Sequence, residues 1–212
     1  MKIKKIGHCC LLIEEKGIRI LTDPGSYTVA EQKTLNNINI ILITHEHADH
    51  IHIESLKEIL AQNGEAKIFT NKGVGTILDK EGIMYTLLEH GQSIHFKGIK
   101  IDGIGEYHAL MYTTIPPISN TGYFIADILF YPGDALTLPN RAVKILALPV
   151  AGPWLKLPEA IDYALSVKPE HCFPVHDGIL RNIGSTDKIP AQVLPALGIK
   201  FISPELGKEY EF

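Results

Sequence analysis

Residues 44–50 read Thr44-His45-Glu46-His47-Ala48-Asp49-His50, a run that holds four side chains able to ligate a metal. The run follows directly on the apolar stretch at residues 38–43 and precedes a helical pattern that opens at Ile53. Open sites in α/β proteins gather at the carboxyl ends of buried strands, so the position counts as much as the composition. His45 and His47 can turn together toward one ion, and Asp49 and His50, at the start of the helix, can reach a second ion beside it. Imidazole with carboxylate suits zinc, iron or manganese; calcium takes oxygen ligands and is not suited. A solvated polar turn would also hold Asp and His, but this density right after an all-apolar strand is rare by chance.

The elements that must position this run are legible as short apolar, often β-branched stretches bounded by Gly, Asn, Asp and Pro. They lie at residues 9–13, 18–21, 38–43, 99–104, 128–131 and 143–148 and predict strands. Stretches 38–43 and 143–148 scarcely alternate, which predicts strands buried on both faces. Helical patterns stand between them. Residues 53–60 place Ile53, Leu56, Ile59 and Leu60 on one face and end near Gly64. Residues 71–79 end before Gly82, and a third helix runs from near Pro158 to about Val167, with Pro169 just beyond. Residues 187–197 form a weaker pattern, interrupted by Pro190 and Pro195. Two sheets covered outside by helices satisfy this order, so the expected fold is α+β, a four-layer αββα sandwich. Without a repeat or a flexible linker, residues 1–212 read as one domain, and the proline-rich residues 113–120 are the candidate divide between its halves.

Composition narrows the partners. A 45% apolar and 21% charged chain is an ordinary globular balance, which excludes disorder. A net charge of -4 excludes the basic excess of a duplex-DNA binder, so no nucleic acid is expected. The three cysteines, Cys9, Cys10 and Cys172, are odd in number and lack a C-x-x-C, which fits buried small side chains in a reducing compartment. The opening apolar stretch stops at Glu14 and Glu15, too short for a signal peptide core. No run is long enough to span a membrane. A cytoplasmic protein with a small-molecule substrate and no membrane partner is expected, and a homo-oligomer is compatible with the sequence. The pairs Gly73-x-Gly75 and Gly103-x-Gly105 lack the rest of a phosphate loop, and no Gly-x-Ser-x-Gly marks a serine nucleophile.

Residues 44–50 match T-H-x-H-x-D-H at every fixed position, and on this signature the chain resembles the metallo-β-lactamase fold superfamily. The resemblance continues in Leu21-Thr22-Asp23-Pro24-Gly25, in Tyr131-Pro132-Gly133-Asp134 and in Phe173-Pro174-Val175-His176, in the family's order and rough spacing. It thus covers nearly the whole chain. The short length and the opening Gly7-His8 are most similar to the lactonase-like, metal-dependent hydrolase branch that includes ascorbate-phosphate lactonases. The resemblance implies that His45, His47 and a third histidine hold a first metal, that Asp49, His50 and His176 hold a second, and that Asp134 bridges them. His108, after the apolar stretch 99–104, is the preferred third histidine. Its rivals are His90, in a Glu-His-Gly turn, and His95, inside an alternating strand. Asp23 is expected to orient a ligand histidine through its free ring nitrogen. His8 is either a satisfied histidine at a strand start or a contact near the metals or substrate. Tyr107 is expected among the loops bordering the site, with Tyr27, Tyr112 and Trp154. His52 reads as a solvated helix residue.

The implied chemistry is hydrolysis of a small ester, lactone or phosphodiester by a metal-bound hydroxide, with two divalent transition-metal ions as cofactors. Zinc is expected first, with manganese or iron as alternatives. Asp49 and Asp134 are the catalytic carboxylates, Asp49 holding the nucleophile and passing its proton to the leaving group. Alternative readings are a nuclease or phosphodiesterase acting on nucleic acid, and a non-catalytic metal-binding scaffold. The first needs a basic extension that an acidic chain lacks. Degenerate scaffolds usually lose ligands, and here the set is full. A di-iron redox protein of this fold usually carries glutamate where this chain has His47. Lactam and thioester hydrolysis are less favoured.

Overall fold

The computed structural model describes residues 1–212. Three antiparallel strands open the chain, β1 (Lys2–Gly7), β2 (Cys10–Glu15) and β3 (Ile18–Thr22). A 3-10 turn (Ser26–Thr28) and the one-turn helix α1 (Val29–Gln32) lead to β4 (Ile40–Leu42), α2 (Ile53–Gln62), β5 (Lys67–Thr70), α3 (Lys72–Lys80) and β6 (Thr86–Leu87). A second group begins with β7 (Ser93–Phe96), β8 (Ile99–Ile104), β9 (Gly122–Ile125) and β10 (Leu129–Tyr131). It continues through β11 (Ile145–Pro149), α4 (Leu157–Val167), β12 (His171–Val175), α5 (Lys188–Ala196) and β13 (Lys200–Phe201), and the chain ends in β14 (Glu209–Glu211).

These strands make two sheets, ordered β14-β1-β2-β3-β4-β5-β6 and β13-β12-β11-β10-β9-β8-β7. In each, antiparallel hairpins feed a parallel run: β3 to β6 in the first sheet, β10 to β13 in the second. The unalternating stretch at β4 explains the layering. Ile40 and Leu42 join Ile20, Tyr131, Ala147 and Phe173 in the core between the sheets. Ile41 and Ile43 face the other way, against Leu56 and Ile59 of α2 and Val74 and Leu78 of α3. The second sheet repeats the arrangement, with Phe130, Leu146 and Leu148 packed against Ala160, Tyr163 and Ala164 of α4 and Leu194 of α5. Each buried Ile, Leu, Val or Phe among these contributes about 1.5–3 kcal/mol by leaving water, and the result is the four-layer αββα sandwich.

Helix ends follow from their capping residues. Asn71 accepts the Val74 N–H to start α3, and His52 accepts the Ser55 N–H to start α2. Pro190 is tolerated in the first turn of α5, where a backbone N–H has no intrahelical partner. The proline-rich residues 113–120 do not divide the halves. They form part of the loop between β8 and β9, two paired neighbours of one sheet, and the chain passes between sheets earlier, between β6 and β7.

Because β4, β10 and β12 leave their sheets at the same edge of the sandwich, their following loops meet. Polar side chains tie the two sheets together beneath that meeting point. The Tyr123 hydroxyl donates to Ile43 O at 2.8 Å, and the Tyr131 hydroxyl donates to Asp23 Oδ2 at 2.5 Å. Lys5, buried on β1, donates to Asp177 Oδ2 at 2.7 Å and to Pro174 O at 2.8 Å.

Candidate metal centre

The loop after β4 carries Thr44 to His50 into α2, and a second loop locks its shape. Ser26 N donates to Ala48 O at 2.8 Å, and His52 N donates to Pro24 O at 3.0 Å. Gly25 lies so close beneath Asp49 that a Cβ there would stand 1.8 Å from Asp49 O. Asp23, fully buried, organises the rest. It accepts the Thr44 N–H and the Thr44 hydroxyl, each at 2.7 Å, and pairs with His50 Nδ1 at 2.7 Å. The expected supporting contact of Asp23 is therefore to His50, with Thr44 beside it.

The loops bring two groups of donors together. His45, His47, His108 and Asp134 form one group and His8, Asp49, His50 and His176 the other, each with its ligand atoms within 4.8 Å of one another. His45 Nε2 and His47 Nδ1 stand 3.0 Å apart. Asp134 lies between the groups. Its Oδ1 is 3.2 Å from His50 Nε2, and its Oδ2 is 2.8 Å from His176 Nε2 and 3.4 Å from His108 Nε2. Asp49 Oδ2 is 3.5 Å from His176 Nε2 and 3.9 Å from His50 Nε2.

The residues fit transition-metal ions. Nε2 of His50, His108 and His176 and Oδ1 of Asp134 are buried without a hydrogen-bond partner, an expensive arrangement for polar atoms unless a ligand completes it. The same rings have committed their other nitrogen. Nδ1 faces Asp23 at 2.7 Å in His50, Ala109 O at 2.6 Å in His108 and Ala151 O at 2.6 Å in His176. An Nδ1–H donated to oxygen leaves the Nε2 lone pair turned inward, which is how metal-ligating histidines are oriented. His45 follows suit through Thr44: that hydroxyl donates to Asp23 and so accepts from His45 Nδ1 at 3.0 Å.

Electrostatics express the same crowding. Burial holds the His45 imidazole well below its ordinary value, helped by the charge of His50. Burial also lowers His47, with His108 adding to it. In His50 burial works against the charge, but the Asp134 and Asp23 carboxylates prevail and raise it well above the usual range. His176 is pushed up to about 9 as Asp134 and Asp49 outweigh burial. Burial opposes ionisation of Asp134 and Asp49, yet the surrounding histidines hold both carboxyls below the ordinary carboxylate value. His8, Asp23 and His176 all occupy left-handed backbone conformations, at φ 49°, 37° and 61°. Non-glycine residues hold such angles at a cost of about 1–3 kcal/mol, and such strain clusters at functional sites.

Other expected contacts fall differently. Tyr107 is exposed and lines a polar depression of about 300 Å³ with Asn71, Lys72, Glu89 and His90, a cavity whose walls include none of the clustered histidines. Its backbone pairs with Ser119 as a lone β-bridge. Tyr27 packs on the His8 ring at 4.7 Å between centroids. Trp154 contributes more than a border: its indole N–H donates to Asp134 Oδ2 at 3.2 Å, and its ring meets both His108 and His176 edge-on. Cys9, which the sequence marks only as a small buried residue, lies with His50 and Asp134 beneath the site. Burial, then Asp134, keeps its thiol well above the usual range and hence protonated. His90 accepts the Gly105 N–H at 3.0 Å and His95 is exposed on β7, so neither joins the cluster.

The sandwich with its loop-borne histidines and aspartates at one edge defines a metallo-β-lactamase fold with a candidate metal centre. The chain belongs to the β-lactamase superfamily, whose domain model matches residues 2–176. It is 33% identical over 185 residues to Protein Rv0786c of Mycobacterium tuberculosis, 85% of each chain. A UPF0173 metal-dependent hydrolase of Nanoarchaeum equitans is 25% identical over 190 residues, 83% of each chain. Among solved structures, Igni18, a metallo hydrolase from the archaeon Ignicoccus hospitalis, superposes with a TM-score of 0.79 at 23% identity, over 100% of this chain and 98% of that one.

Proposed function

We propose that the chain is a metal-dependent hydrolase that opens a small ester, lactone or phosphodiester with water. The observation that carries this reading is Asp134, whose Oδ1 faces His50 and whose Oδ2 lies between His176 of the same donor group and His108 of the other, while the Nε2 atoms of these buried histidines make no hydrogen bond. In this reading His45, His47 and His108 would hold one divalent transition ion, Asp49, His50 and His176 would hold a second, and Asp134 would serve both. Zinc is the first candidate, with manganese or iron as alternatives. When bound, such a pair supplies a water activated near neutral pH and a Lewis acid for the developing negative charge.

The chain's own residues do the rest. Asp23 and the carbonyls of Ala109 and Ala151 fix ring orientation in His50, His108 and His176. The Trp154 indole steadies Asp134. Asp49, half-buried and kept ionised by its histidine neighbours, is the carboxylate this reading assigns to hold the water and pass its proton to a leaving group. The loop after β8 provides a wall: His47 and His108 line a cleft of about 50 Å³ together with Ala109, Met111, Ile115 and Pro116.

Metal analysis after zinc loading, joined to a screen of lactones, esters and phosphodiesters, tests the reading. Two equivalents of zinc per chain and turnover in at least one class are expected. A chain that takes up no ion rejects it.

A further inference from the structure

His8 stands with Asp49, His50 and His176 in one donor group, yet its hydrogen bonds are the reverse of theirs. Its Nδ1 accepts the Gly178 N–H at 3.0 Å. A ring nitrogen that accepts carries no proton, so the proton of the neutral ring sits on Nε2. That nitrogen lies 3.1 Å from Asp49 Oδ2, the distance of an N–H donated to a carboxylate. A protonated nitrogen has no lone pair to offer an ion. In His50, His108 and His176 Nδ1 makes the hydrogen bond, to Asp23 or to a backbone carbonyl, while Nε2 points at Asp134 without forming one.

The surroundings are built around this orientation. His8 is 2% exposed. A Cβ on Gly178 would stand 2.9 Å from His8 Cβ and 3.0 Å from its Nδ1, so glycine is what lets the backbone N–H reach the ring. His176 N donates to His8 O at 3.3 Å, which ties the β1–β2 turn of one sheet to the end of β12 in the other. The recipient oxygen matters as well: Asp49 Oδ2 is the one that faces His176 and His50.

We infer that His8 is a positioning residue and not a metal ligand: it donates its Nε2–H to Asp49 and sets the carboxylate that would complete the second ion's ligands. The inference rests on the two-ion reading above. It adds that the second site has one fewer histidine than the cluster suggests, and that Gly178, far along the chain, selects the His8 tautomer. Loss of His8 weakens the second ion without deleting a ligand.

Nitrogen NMR of histidine-labelled protein tests the tautomer directly, before and after zinc loading. The expected result is a His8 ring with Nδ1 bare and Nε2 protonated in both states. Loss of the Nε2 proton when zinc is added would overturn the inference. In parallel, H8A should still take two zinc ions at saturation, with the weaker one bound about 10–100-fold less tightly. H8Q, whose amide nitrogen can reach the place of Nε2, should bind it to within roughly threefold of the native chain on the same scale. One zinc per chain in both variants, or unchanged affinity in H8A, would contradict the proposal. If H8A fails to fold, the NMR measurement on the native chain decides. A native chain that binds no zinc would reject the two-ion reading while leaving the His8 tautomer measurable.

Discussion

Replacing Asp23 by alanine removes one carboxylate and strands four donors. The Thr44 N–H, the Thr44 hydroxyl, the His50 ring and the Tyr131 hydroxyl all end on this fully buried side chain. A buried polar group left without a partner costs about 1–3 kcal/mol, and breaking a buried charged pair costs about 3–5 kcal/mol. The terms overlap, because the loop can shift and water can enter the small cavity. A net loss of about 4 kcal/mol in the metal-free protein is the expected outcome. Urea unfolding with a chelator present measures it. With a slope of about 2–3 kcal/mol/M, the midpoint should fall by roughly 1.3–2 M. Asp23→Asn keeps one acceptor oxygen and should lose about half as much. Zinc affinity should drop about 10–100-fold in the alanine variant, since the His50 ring is no longer held. A stability loss below about 1 kcal/mol would refute the assignment of Asp23 as the organiser of this edge.

Gly25→Ala should displace the 47–50 loop, because the new Cβ would stand 1.8 Å from Asp49 O, against backbone that cannot swing aside; circular dichroism should show a folded chain and metal analysis a loss of zinc. The charge of His176 gives a pH signature. Its value of about 9 in the metal-free protein means that an ion, which needs the neutral ring, must displace a proton. Calorimetry at pH 7 in buffers of different ionisation enthalpy should therefore report proton release on zinc binding, and affinity should rise with pH up to about 9. The sign for the chelated protein is opposite. A raised value stabilises the folded chain in full below the ordinary 6.5 and loses that contribution as pH rises through about 9. The urea midpoint of metal-free protein should fall across that window, and a rise would contradict the placement of His176 between two carboxylates.

The fold was legible where apolar stretches were long enough to show their layering. Ile40 to Ile43 lack alternation because both faces of β4 are covered, one by the second sheet and one by α2 and α3. Strands such as β6 and β13 span only two residues and carry no periodicity to read. The proline-rich residues 113–120 misled because proline punctuates local structure without saying whether the chain leaves a sheet. Within the candidate site, the dense run at residues 44–50 was visible because its ligands are neighbours in sequence. Trp154 and Asp134 meet across 20 residues and Lys5 and Asp177 across 172. No local pattern signals such pairs. The role of His8 turns on a backbone N–H 170 residues away, which residue types alone cannot supply. Tyr107 was expected near the clustered histidines because its loop borders them; its side chain is exposed and lines the separate depression with Asn71, Lys72, Glu89 and His90, which residue type and loop position alone do not reveal.

The proposed hydrolysis depends on ions held by this cluster. It is tested most directly by following one confirmed substrate with the same preparation in three states: native, stripped with a chelator, and reloaded with zinc or manganese. Turnover should vanish on stripping and return on reloading, in proportion to ions bound up to two per chain. Equal rates in the stripped and reloaded protein would contradict it and leave the histidine cluster a structural role at most.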